Sequence, residues 1–121
     1  MSHKVFVYGT LKVGHGNHRL LEGSKQLGEY TTPPKYSMYS LGGYPGVTDE
    51  GETAIQGELY EVNDNTFERL DMLEGYDPAR VKDGRGFYDR IEIDTPEGKA
   101  WMYTITKRYV TDKQPMSEGH W

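Results

Sequence analysis

The chain has 121 residues, no cysteine and a formal net charge of -5. That length allows one domain and leaves no room for a second full core. Missing thiols exclude disulfides, cysteine nucleophiles and Cys-ligated zinc, and the acidic balance argues against a general nucleic-acid binder while leaving small anions open.

Lys4 to Tyr8 (K-V-F-V-Y) reads as a first strand, broken by Gly9. Thr10 to Gly16 reads as a glycine-rich loop, and Asn17 can cap a short helix from His18 to Glu22. Gln26 to Thr32 is a second strand stopped by Pro33-Pro34, and Tyr36 to Ser40 a third. Gly42 to Gly46 is a turn cluster, and Thr53 to Val62 reads as one long strand. Asn65 and Glu68, with Asp64 as a rival cap, open the clearest helix. Phe67, Leu70 and Leu73 share one face of it, and Gly75 ends it. Asp77 to Gly86 is a charged loop. Tyr88 to Ile93 and Ala100 to Ile105 form a hairpin about Thr95-Pro96-Glu97-Gly98, and the last sixteen residues read as polar and extended.

Leu, Ile, Val and Phe supply only 22 residues, so ten Tyr, two Trp and five Met must complete the core. The expected class is α+β over residues 1–121, a small mixed β-barrel flanked by short helices. No apolar run is long enough for a membrane span. Met1 to Lys4 leads straight into the first strand, without the apolar region of a signal peptide. The expectation is a cytoplasmic chain with no membrane or nucleic-acid partner.

Three constellations can carry chemistry. At Tyr8-Gly9-Thr10-Leu11 a glycine at a strand exit can expose consecutive backbone N-H groups as an anion nest; a plain strand-ending turn is the commoner reading of such a segment. Glu74 is the last acidic residue of the main helix. A carboxylate there meets the negative end of the helix dipole, which favours its protonated form and suits a general acid/base. Position alone also fits an exposed surface glutamate. In Tyr88-Asp89-Arg90 the first and third side chains share a strand face. Tyr88 could steady a substrate, or be a core tyrosine beside a surface arginine. His15 and His18 have no third ligand near them, so no metal site is expected. No P-loop, dinucleotide fingerprint or Gly-x-Ser-x-Gly elbow is present.

Taken together, these segments resemble a known family. Val5-Phe6-Val7-Tyr8-Gly9-Thr10-Leu11-Lys12, Leu41-Gly42-Gly43-Tyr44-Pro45, Gly57-Glu58-Leu59-Tyr60, Leu70-Asp71-x-x-Glu74-Gly75-Tyr76, Tyr88-x-Arg90 and Ala100-Trp101-Met102-Tyr103 are similar, in order, to segments of the γ-glutamylcyclotransferase-like (AIG2-like) family. The ending Ser117-Glu118-Gly119-His120-Trp121 also resembles it, with His120 where aspartate is common. The resemblance implies cleavage of a small γ-glutamyl amine or peptide by its own α-amine, releasing 5-oxoproline and a free amine without cofactor or metal. It implies Glu74 as general acid/base, and Tyr8, Gly9, Thr10, Leu11 and Tyr88 around the γ-glutamyl group. The alternative is a non-catalytic module that binds a small molecule in the same pocket.

Overall fold

The computed structural model describes residues 2–9, 21, 23–41, 45–74, 88–117 and 119. Their elements are β1 (Ser2–Val7), β2 (Lys25–Thr31), β3 (Tyr36–Ser40), β4 (Pro45–Thr53), β5 (Gln56–Asn63), α1 (Asp64–Glu74), β6 (Tyr88–Thr95) and β7 (Gly98–Ile105). A 3-10 turn, Lys107–Tyr109, follows β7.

Five strands form one sheet in the order β2-β5-β1-β7-β6, and β3 and β4 form a separate hairpin. Within the sheet β1 runs parallel to β7, while the other pairings are antiparallel. The expected mixed α+β class is what forms. The expected barrel needs loosening, because β2 and β6 remain unpaired edges among the described residues. Curling still brings those edges together, and the Tyr30 hydroxyl of β2 donates to the Asp94 carbonyl of β6 at 3.2 Å.

The strand β1 shows why its sequence is continuously apolar. Val5 and Val7 enter one buried cluster with Val62, Phe67, Leu70, Tyr103 and Ile105, on the α1 side of the sheet. Phe6 and Tyr8 enter another with Met38, Val47, Leu59 and Met102, on the hairpin side. A central strand covered on both faces has no polar side to present. Tyrosines fill both clusters (Tyr60, Tyr88 and Tyr103 in the first, Tyr8 and Tyr36 in the second), as the composition required.

Several boundaries differ from expectation. The long strand from Thr53 is two strands, β4 and β5, broken at Ala54-Ile55. Thr32 makes the break: its amide donates to the Ile55 carbonyl at 2.9 Å, and its hydroxyl accepts from the Ile55 amide at 2.8 Å. Pro45 and Gly46, read as turn, open β4 and pair with Ser40 and Tyr39. The cap of α1 is neither Asn65 nor Asp64 but Asn63, whose Oδ1 accepts from the Thr66 amide at 2.8 Å. The tail is anchored rather than merely extended. The Met116 amide donates to the Met38 carbonyl and the Gln56 amide to the Gly119 carbonyl, each at 2.7 Å. Of the helix expected over His18–Glu22, only Leu21 is described, and it is buried. The loop Asp77–Gly86 lies outside the described residues.

Candidate active site

The C-terminal end of β1 and the last turn of α1 are joined through one residue of β7. Tyr8, just past β1, is 7% exposed, and its hydroxyl donates to the Tyr103 carbonyl at 2.6 Å. The Tyr103 hydroxyl in turn donates to Asp71 Oδ1 at 2.5 Å. Asp71 lies in the last turn of α1, three residues before Glu74. Sheet register makes the junction possible, because β7 lies next to β1 and pairs Tyr103 with Arg90 of β6.

Arg90 completes the cluster. Its Nη1 donates across both Asp71 oxygens, at 2.9 and 2.8 Å. The two side chains are only 19% and 22% exposed. The guanidinium lies 4.5 Å from the Phe67 ring centroid and 4.8 Å from that of Trp101. A cation on two aromatic faces, paired with a carboxylate out of bulk water, is held more firmly than a surface ion pair.

The strand-exit glycine also has a structural reason, though a different one from a sharp turn. Gly9 is not among the glycines with left-handed φ, which are Gly23, Gly28, Gly51 and Gly98. A β-carbon on Gly9 would instead lie 2.8 Å from Pro45 Cγ and 2.9 Å from its Cδ. The Pro45 carbonyl accepts from the buried Tyr88 hydroxyl at 3.2 Å. Pro45 therefore packs on Gly9 and holds Tyr88, while Tyr8 joins the Asp71 cluster through Tyr103.

Of the residues singled out from sequence, Tyr8, Gly9 and Tyr88 are brought together at this end of the sheet. Glu74 is the last residue of α1, and its side chain is not described. Thr10 and Leu11 lie outside the described residues, as do His15 and His18. Sequence reasoning gave no role to Asp71 or Tyr103 and placed Arg90 at the surface. All three fall inside the motif segments, and that was the available signal. Among the described residues, no three His, Asp or Glu side chains gather as a metal site. A groove of about 420 Å³ lies elsewhere, in the seam between β2 and β6, lined by Tyr30, Lys35, Tyr36, Asp49, Glu92 and Asp94. It holds none of the residues singled out from sequence.

A model of the family described as "Gamma-glutamyl cyclotransferase, AIG2-like" matches residues 5–121. The chain belongs to that family. A Vibrio cholerae protein named "Putative gamma-glutamylcyclotransferase" is 45% identical over 103 residues, covering 85% of this chain and 82% of its own. A Niallia circulans protein named "Gamma-L-glutamyl-butirosin B gamma-glutamyl cyclotransferase" is 33% identical over 107 residues, covering 85% of this chain and 67% of its own. The solution structure of Escherichia coli YtfP superposes with a TM-score of 0.70 at 32% identity, covering 98% of this chain and 95% of that one. No described helix is long and apolar enough to cross a membrane.

Proposed function

We propose that the chain is a γ-glutamylcyclotransferase that cleaves a small γ-glutamyl amine or peptide. One observation supports the reading: the Tyr8 hydroxyl, at the end of β1, and Asp71, in the last turn of α1, both bond Tyr103. The family match and the named γ-glutamyl substrate of the Niallia relative support the same reading.

In this reaction Glu74 takes a proton from the substrate α-ammonium. The freed amine attacks the γ-carbonyl of its own chain, and a five-membered ring closes. Backbone N-H groups of the Tyr8 to Leu11 segment steady the oxyanion that develops. The ring nitrogen gives up its second proton to the far-side nitrogen, the tetrahedral intermediate expels that amine, and the proton held by Glu74 returns to it, so it leaves as the ammonium. The atoms balance without water or any other co-reactant, leaving 5-oxoproline and a free amine. One carboxyl serves both steps, as base toward the α-ammonium and as acid toward the departing amine. The last turn of α1 carries no basic residue of its own, and the Arg90 guanidinium is engaged by Asp71. Ring closure is intramolecular, so holding the bent conformer supplies much of the rate; effective molarities reach about 10⁵ M in well-aligned cases.

The test is incubation with a panel of γ-glutamyl amines and peptides in H₂¹⁸O, read by mass spectrometry. Unlabelled 5-oxoproline and free amine in equal amounts are expected. Labelled glutamate would mean hydrolysis. Binding without any product would favour a module that holds a ligand without chemistry.

A further inference from the structure

We propose that Asp71 is a positioning residue for turnover: its carboxylate, gripped by Arg90 and Tyr103, fixes the last turn of α1 and with it the place of Glu74. The inference rests on the reading of Glu74 as the acid/base and adds a device that sets its position.

The last turn of a helix lacks part of its backbone hydrogen bonding and frays unless something holds it. In α1 that turn is acidic, with Asp71 and Glu74 and no basic residue. Two carboxylates at the negative end of the dipole repel one another and loosen the turn. The structure spends its anchoring contacts at Asp71. Arg90 spans both oxygens, and Tyr103 donates a third hydrogen bond. Arg90 is itself seated against Phe67, one turn back on α1, and against Trp101 on β7. The grip thus ties helix to sheet at two levels, which resists rotation of the helix end as well as its withdrawal.

The remaining link makes the grip functional rather than only structural. Tyr103, which holds Asp71 with its hydroxyl, holds Tyr8 with its carbonyl. The strand exit and the helix end are therefore referenced to one side chain and its own backbone. If Asp71 lets go, the helix end loses its register with the strand exit at Tyr8, while β1 keeps its own pairing. Binding should survive and turnover should not.

The experiment compares wild type with Asp71→Asn, Asp71→Glu, Tyr103→Phe and Ile93→Val, measuring kcat, KM and Tm on one turned-over γ-glutamyl substrate, with Glu74→Gln as reference. Ile93 lies three residues beyond Arg90 on β6 and packs in the hairpin-side cluster, so its truncation lowers stability without touching the grip. Asp71→Asn should lose about 10- to 100-fold in kcat, the scale of an ångström of misplacement, with KM within about threefold. Asp71→Glu, which keeps the charge, should recover part of that loss. Ile93→Val should keep wild-type kcat despite a lower Tm. Wild-type kcat in Asp71→Asn with Glu74→Gln inactive would overturn the positioning role alone. Wild-type activity in Glu74→Gln would instead remove the acid/base reading beneath it. Should Asp71→Asn fail to fold, Tyr103→Phe decides: a fall in kcat at unchanged KM supports the role, and wild-type kcat overturns it.

Discussion

Replacing Gly9 by alanine probes the wall between β1 and the hairpin with a single methyl group. The added carbon would lie 2.8 Å from Pro45 Cγ and 2.9 Å from Cδ. Carbon atoms prefer about 3.5 Å or more, so the two segments must part by about 0.7 Å. Pro45 cannot yield as a flexible side chain would. Its ring is rigid, its strand pairs with Ser40, and its carbonyl holds the Tyr88 hydroxyl. Overpacking of this kind costs about 1–3 kcal/mol. At roughly 4 °C per kcal/mol for a chain of this size, Tm should fall by about 4–12 °C. The same displacement moves the strand exit against the helix end. A shift approaching 1 Å at a reacting site costs up to about 100-fold, so kcat/KM for 5-oxoproline release should drop by about 10- to 100-fold. Thermal unfolding by circular dichroism and a coupled mass-spectrometric rate assay read the two effects. Wild-type Tm together with wild-type kcat/KM would refute the contact and the argument built on it.

Further outcomes follow from the same structure. Asn63→Ala removes the cap on the Thr66 amide and should cost about 1 kcal/mol, seen as a Tm lower by about 4 °C. Gly119→Ala would set a carbon 1.9 Å from the Ala54 carbonyl oxygen. It should therefore free the tail from Gln56, raising amide exchange at Gln56 while exchange in β1 stays slow. The His3 hydrogen bond holds the exposed Asp64 carboxyl below its usual range. A lowered carboxyl pKa stabilises the fold above the unfolded value of 3.8 and loses that contribution as pH falls through the folded value. The Tm gap between wild type and His3→Phe, which keeps a ring against Phe67, should thus narrow as pH drops below about 4. A gap that widens below about pH 4 would contradict the assignment.

What the sequence revealed was what is local. β1, the face of α1 bearing Phe67 and Leu70, and the β6–β7 hairpin follow from side-chain periodicity, because burial of neighbours along one element leaves a repeating pattern. The motif resemblance added the family, and it is the source of the proposed site residues Tyr8, Gly9, Thr10, Leu11, Tyr88 and Glu74. Contacts between distant residues were not legible. Asp71 meets Arg90 nineteen positions later and Tyr103 thirty-two positions later, and no local pattern records such pairs. Arg90 therefore read as a surface residue beside a core tyrosine, whereas it is packed against two rings. Gly9 was chosen for turning on local grounds, although its constraint is a proline thirty-six residues away. The β4–β5 break escaped for the same reason: Thr32, not a Gly or Pro at Ala54-Ile55, makes it. Sheet closure depends on how strongly the strands coil, and composition does not set that. The fold consequently stops at a curled sheet with one tyrosine bridging its edges.

The most direct test of the central claim is the rate of 5-oxoproline formation by wild type and Glu74→Gln on the same γ-glutamyl substrates. A neutral amide keeps the size of the side chain but cannot take the proton from the α-ammonium. The account predicts product from wild type, a loss of about 10²-fold or more in the variant, the lower end of what a positioned acid/base contributes, and unchanged Tm. Equal rates from the two proteins would contradict it.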